Sequence, residues 1–240
     1  NLTYTNLADS DFLGTKFKYG QIIRANFDGG RFVGAQDVPD WLRQGLSEDQ
    51  IYSMKRLVDT IRQGYKEVEN VYLKNARMSA FDLRELQARG ANLEDSDLTD
   101  TDLRNADLRG ARLRGANFSG ADVRGGRFSN AQDFPQWIRE GLDSNGTFRV
   151  ELLVQKIRQG FHELPGACLI GANLVDVDFS HANLEGADLS TADLRRGRFY
   201  QTRLKKARLE NTNVSFAYFE KVSFAENQWR GIQLFKAILL

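Results

Sequence analysis

The side chains of this chain that could carry acid–base, nucleophilic or metal chemistry are few: two histidines and one cysteine in 240 residues. His162, Cys168 and His181 show neither metal-ligand spacing nor a nucleophile set beside its base. The glycines from Gly110 to Gly126 are dense enough to suggest a phosphate loop, but they recur at a fixed interval and lack the lysine and the strand-to-helix context of such loops. Asp97 and Asp102 could form an acid–base pair only if an apolar pocket drove their pKa values apart; they occupy neighbouring exposed positions of one pattern instead. No catalytic, cofactor-binding or metal-binding residue is assigned, and no cofactor is expected. The most pointed constellation is Trp41 with Arg43 and Trp137 with Arg139, the residue types that dominate binding energy at protein interfaces. The plainer reading, which comes first, is that each tryptophan pins its own short helix to the body of the fold.

What must position these residues is a ruler of five. From Ala91 to Phe118 a large apolar residue recurs at Leu93, Leu98, Leu103, Leu108, Leu113 and Phe118, each preceded two places earlier by a small one. A helix turns about 100° per residue and a strand alternates faces, so neither holds a five-residue step on one side. A chain that runs a short side, turns a corner and repeats does, and that is a solenoid. The ruler continues from Leu2 to Phe32, from Leu73 to Phe128 and from Leu169 to Leu234, with one flawed slot where Leu86 trades places with Ala88.

The repeat reads A(D/N)LxG, as in Ala106–Gly110 and Ala116–Gly120. It resembles the pentapeptide-repeat family over about two thirds of the chain. The resemblance implies an all-β solenoid, a right-handed quadrilateral β-helix of twenty residues per coil with the Leu or Phe centre and the preceding Ala facing inward. Charge supports four sides independently. Asp176, Asp178, Glu185 and Asp188 lie twenty residues before Arg196, Arg198, Lys205 and Arg208, so the basic run from Arg195 to Leu209 acquires acidic partners across the strand spacing of about 4.8 Å. The same rule places Glu94 beside Arg114 and Asp107 beside Arg127, and stacks Arg104 on Arg124.

Two stretches break the ruler. Residues 36–68 and 132–164 align without a gap at an offset of 96, the mark of a duplicated module. Pro39 and Pro135 suit the start of a short helix ending at Gly45 or Gly141. Ser47–Gln50 reads as a capping box ahead of Ile51, Met54, Leu57, Val58, Ile61 and Tyr65 at helical spacing, while the second copy keeps Val150, Leu153, Val154, Ile157 and Phe161 but replaces the box with Asp143–Gly146. Both inserts, at 36–68 and 132–166, are therefore read as helical hairpins on a single domain spanning 1–240, emerging from the same wall.

Formal net charge is +1, from 33 basic and 32 acidic side chains. That balance gives no field for nucleic acid or an anionic membrane, and no apolar run reaches the roughly 18 to 20 residues of a membrane span. No nucleic-acid partner is expected. One cysteine makes no internal disulfide, so the cytoplasm is the default compartment. The chain starts without Met and already in phase, which points to a piece of a longer protein. Its last residues, with Trp229, Ile232, Leu234, Phe235, Ile238 and Leu239, cap the open solenoid end, pair with a second copy in a homodimer, or meet a continuation. The leading expectation is a non-catalytic scaffold for a protein partner of unknown identity. The alternatives are a DNA mimic that binds type II topoisomerase (gyrase) and protects it from quinolones, as one branch of the resembled family does, and a domain of a larger enzyme.

Overall fold

A computed structural model describes residues 2–3, 5–17, 22 and 24–240. Its architecture starts with one corner. Among the described residues, the one two places after an apolar centre takes a positive φ: Asn75 at 60°, Glu85 at 62°, Asp95 at 55°, Asn105 at 60°, Gly110 at 66°. The next amide then closes back on the centre's carbonyl, as Ala106 N–H does on Leu103 O at 3.0 Å and Ala111 N–H on Leu108 O at 3.0 Å. A four-residue turn with positive φ at its third position matches type II geometry, which Gly and Asn enter at least cost. The Asp or Asn before the centre stiffens the same corner: Asn92 Oδ1 accepts the N–H of Glu94 at 3.0 Å, and Asp97 Oδ1 that of Thr99 at 3.0 Å.

Four such sides close a coil. Bridges join residues twenty apart in parallel, from Glu67–Gln87 and Tyr72–Asn92 through Asp193–Asn213, and only the late coils extend into strands: β1 (Arg198–Tyr200), β2 (Tyr218–Glu220) and β3 (Ile238–Leu239), paired in that order. Leu73, Leu83, Leu108 and Leu113 are fully buried, with Ala91, Ala106 and Ala111 behind them. At the flawed slot both Leu86 and Ala88 point inward. In the third block Phe179, Phe199 and Phe219 stack at 5.3 and 4.5 Å, one ring per coil.

The chain clusters into two compact units, 1–117 with 126–134, and 118–125 with 135–240.

Each insert holds two helices joined by a β-hairpin. In the first, Pro39 precedes α1 (Asp40–Gln44) and Gly45 ends it; α2 (Met54–Arg62) buries Leu57, Val58 and Ile61. The second has α3 (Gln136–Glu140) and α4 (Val150–Arg158), which buries Leu153 and Ile157. Ser47–Gln50 is not a capping box. It is the hairpin turn between Leu46 and Tyr52, which bridge antiparallel as Leu142 and Phe148 do in the second copy. Ser53 precedes α2 without capping it, and the first amide, Met54 N–H, goes to Asp28 Oδ1 at 2.9 Å. The turn wins because its return strand seats an aromatic ring: a Cβ on Gly45 would lie 2.3 Å from Tyr52, and one on Gly141 2.3 Å from Phe148. Ile51, assigned from sequence to the helix face, sits in the hairpin and is exposed.

The expectation of a common wall fails as well. The first insert leaves after the wall where Lys16 pairs with Gln36, and the chain re-enters on the following wall, where Arg24 N–H bonds Asn70 O. The second departs one wall further on, from the column Tyr72–Asn92–Arg112–Gln132. The departure walls are therefore opposite. The left-handed corners at Arg24 and Asn70 lie 46 positions apart on one wall where successive corners of a plain coil lie 20 apart, so the insert takes 26 residues; the 96-residue offset leaves 70, three and a half coils. Part of what reads as insert is therefore ordinary coil.

The corner geometry makes a graded test. Gly110→Ala places a Cβ in open space at φ 66° and should cost about 1 kcal/mol. Gly166→Ala, at the same φ but with its Cβ 2.8 Å from Ser119 Cα, should cost about 2–3 kcal/mol. Urea denaturation of both variants checks the order; equal losses would contradict the steric account.

Candidate functional site

The walls carry a charge device that the twenty-residue rule misses. In Asp-x-Arg segments the two side chains share one face, and the arginine folds back bidentately on the aspartate. Arg104 lies 2.6 Å from Asp102, Arg109 2.6 Å from Asp107, Arg124 2.5 Å from Asp122 and Arg195 2.7 Å from Asp193. Each Asp also accepts the backbone N–H of its arginine, at 3.2 Å in all four segments. The i, i+2 spacing was the available signal.

Cross-coil pairs form alongside these clasps. Asp176 meets Arg196 at 2.6 Å, Asp188 meets Arg208 at 2.8 Å, Asp107 meets Arg127 at 3.0 Å and Glu94 meets Arg114 at 3.6 Å. Lys205 turns to Glu226 at 3.4 Å instead of Glu185, and Asp178 and Arg198 are bridge partners whose charges act at longer range. Exposed pairs such as Asp176–Arg196 stabilise by roughly 0 to 1 kcal/mol.

Asp107 is different because its side chain is fully buried, with Arg109, Arg127 and Arg89 at 2.6, 3.0 and 3.3 Å. Burial alone would raise its pKa. The hydrogen bonds from the Arg109 side chain and backbone, that from Arg89 and the charge of Arg127 together overcome burial and hold the carboxyl at about 2.

The aromatic–arginine pairs separate. Trp41 is half-buried, its ring 6.4 Å from Phe27 and 6.1 Å from Tyr52, and Arg43 is exposed, its Nε donating to Val38 O at 2.9 Å. Trp137 is a core residue, 1% exposed and edge-on to Phe148 at 5.6 Å, so as a partner anchor it is corrected: its indole offers nothing to a partner, and only Arg139 of that pair is exposed.

The final residues do not fold back as a cap. Gln233 bridges Asn213 and β3 pairs with β2, so the coil simply continues. Leu234, Phe235, Ile238 and Leu239 are exposed, Phe235 at 64%, while Trp229 and Ile232 are half-buried. Phe216 joins them: it occupies a left-handed corner at φ 61°, a conformation bulky residues avoid, and its ring meets Phe235 edge-on at 5.4 Å.

Cys168 is buried with Sγ 3.5 Å from Asp122 Oδ1; burial first, then that carboxylate's charge, push its thiol up to about 12. It stays a thiol and a poor nucleophile. His181 packs edge-on to Tyr200 at 5.4 Å. No cluster of three potential metal ligands occurs among the described residues, and no helix among them is long and apolar enough to cross a membrane.

Twenty-residue coils with five-residue sides define a quadrilateral β-helix, and the sequence comparison gives the same class. The pentapeptide repeats family model matches residues 69–105, 91–130, 164–196 and 172–211, in eight copies. The chain belongs to the pentapeptide-repeat proteins, whose fold is a right-handed quadrilateral β-helix. Among solved structures, HetL, a pentapeptide repeat protein involved in heterocyst differentiation regulation in the cyanobacterium Nostoc sp., aligns over 99% of this chain and 88% of its own at 18% identity, with a TM-score of 0.28. A pentapeptide repeat protein of the Arabidopsis thaliana thylakoid lumen aligns over 58% of this chain and 61% of its own at 23% identity and a TM-score of 0.21. A trypsin-treated variant of QnrB1, a plasmid-mediated fluoroquinolone resistance protein, covers 100% of this chain and 85% of its own at 15% identity and a TM-score of 0.24. No curated protein matches the sequence.

The Asp107 cluster predicts acid behaviour. A carboxyl whose folded pKa is depressed contributes stability above its unfolded pKa of about 4 and loses it as pH falls through about 2. That contribution is about 2 kcal/mol at neutral pH. Asp107→Asn should be less stable at pH 7 and should lose less stability than wild type between pH 4 and pH 2. Denaturant titrations at those three pH values measure it; parallel pH profiles would refute the assignment.

Proposed function

We propose that the chain is a non-catalytic interaction scaffold that presents its exposed insert and β-helix surfaces to a protein partner, with its C-terminal coil able to pair with a second copy. The observation that carries this is where large apolar side chains are exposed. Among the described residues they gather in two places: Leu13, Val33 and Ile51 in the first unit, and Phe216, Leu234, Phe235, Ile238, Leu239 and Leu240 in the second. Contiguous exposed apolar surface on a folded chain marks interaction sites. Trp41 and Arg43, half-buried and exposed on the first insert, supply an aromatic–arginine pair of the kind that anchors interfaces. The single, buried, protonated Cys168 suits a cytoplasmic setting.

Walls on which Asp102, Asp107, Asp122 and Asp193 each hold an arginine two residues on carry little free negative charge. That favours general protein binding over mimicry of DNA. A gyrase supercoiling and drug-poisoning assay with purified protein should show both unchanged.

Two experiments test the scaffold. Light scattering should report a dimer for the wild type and a monomer for Phe235→Asp with Leu239→Asp. Affinity capture with Trp41→Ala plus Arg43→Ala should lose partners that the wild type retains. A wild-type monomer together with unchanged capture would overturn the proposal.

A further inference from the structure

The whole-chain balance of +1 hides a gradient along the sequence. Residues 161–192 hold five carboxylates and no lysine or arginine, whereas residues 193–240 hold ten cations against four carboxylates. Asp176, Asp178 and Asp188 of the acidic stretch face Arg196, Arg198 and Arg208, so three of those cations answer charges in the coils below. The seven that remain, against four carboxylates, leave the last coils at +3. Salt screens charges beyond roughly 8–10 Å, so a partner at these coils meets their local excess rather than the near-neutral total.

Large apolar side chains are exposed in the same coils. Phe216 and Lys236 occupy one corner in successive coils, at φ 61° and 51°. Of the two walls that meet there, one carries Phe235 and the other Ile238, the register partner of Tyr218. Phe216 is 49%, Phe235 64% and Ile238 51% exposed. All three face sideways, because the inward centres of these coils are Val214, Phe219, Leu234 and Leu239. A coil or a second copy stacked on the axial edge would cover Leu234 and Leu239 and leave Phe216, Phe235 and Ile238 outside. Cations frame the three: Lys236 Nζ lies 5.4 Å from the Phe235 ring centroid and 5.9 Å from that of Phe216, and Lys221 is exposed at the next corner. The one carboxylate on these two walls over residues 213–221 and 233–240 is Glu220, which accepts the Tyr218 hydroxyl at 2.7 Å and lies 3.8 Å from Lys221.

We propose that this edge of the last coils docks on an anionic lipid surface. Phe216, Phe235 and Ile238 enter the boundary between headgroups and acyl chains, while Lys221 and Lys236 keep their ammonium groups at the level of the lipid phosphates. Apolar insertion and cationic attraction are each weak alone; together they make a reversible peripheral attachment that needs no membrane-spanning segment. A phenyl ring at a left-handed corner goes against local preference, since Asn or Gly enters that conformation at less cost, and its effect at position 216 is to hold the ring outside the coil. The attachment goes beyond the scaffold proposal, and its failure would leave the partner-capture and light-scattering outcomes of that proposal standing.

The test is flotation of the full chain with vesicles of phosphatidylcholine and phosphatidylglycerol in equal parts, against vesicles of phosphatidylcholine alone. Binding to the anionic vesicles is expected, with affinity about tenfold or more lower for the neutral ones and lost in roughly 0.5 M salt. Phe216→Asn, which suits the corner better than the native residue, should weaken binding about tenfold, and so should Lys221→Glu combined with Lys236→Glu. Glutamate already occupies such corners at Glu85 and Glu226, with φ 62° and 60°, so the charge variant folds and keeps the test valid should Phe216→Asn disturb packing. Absence of flotation with the anionic vesicles, equal binding to the neutral ones, or undiminished binding by the folded charge variant would each overturn the docking. A solution dimer that floats with neither vesicle would assign the surface to a second copy and overturn it as well.

Discussion

A left-handed corner every five residues is the constraint from which the rest of this structure follows. It turns the backbone after each buried centre, and the amide three places after that centre closes on the centre's own carbonyl. The corner is local, needing only a residue that accepts positive φ and an Asp or Asn to take the free amide two places after it. Because each corner is self-sufficient, long strands are unnecessary. Most of the sheet reduces to single bridges, twenty residues apart, and inward-facing Leu, Phe and Ala stack without further instruction.

The outer surface obeys a second local rule. An aspartate that already holds the amide two residues on is poised to take that residue's side chain, and where the residue is arginine it does so bidentately. Charge is thereby neutralised within each side before cross-coil pairing begins. Asp107, where three arginines converge on one buried carboxylate, is the point at which both systems meet and where a single carboxyl carries measurable stability.

Duplication of a 96-residue module produced two copies with one backbone plan and different surfaces. The return strand of each insert hairpin seats an aromatic ring on a glycine, Tyr52 on Gly45 and Phe148 on Gly141. Beyond that shared frame the copies diverge: Trp41 remains partly accessible where Trp137 is sealed, and the Phe81 ring under Arg62 has become Val177 under an arginine that turns to the backbone. A rigid scaffold lets such exchanges alter one surface without disturbing the coil.

The five-residue period, the inward centres, the twenty-residue coil and the family were legible in the linear order of residues, because each side of the coil is dictated by its own five. Leu86 and Ala88 show how local that code is, since exchanging a large and a small residue between two inward positions leaves both buried. The hairpins were not legible: Ser47–Gln50 satisfies a capping box and a turn equally well, and only the docking of Tyr52 on Gly45 chooses between them. Nor could the sequence show that Trp137 is sealed, since indole exposure depends on Phe148 and its neighbours arriving from elsewhere in the chain. The wall from which each insert departs depends on how many residues of the interrupting stretch remain in the coil, 26 being extruded. That number is set by which amides find carbonyls on the coil below, a property of the closed tertiary ladder rather than of any five residues within it.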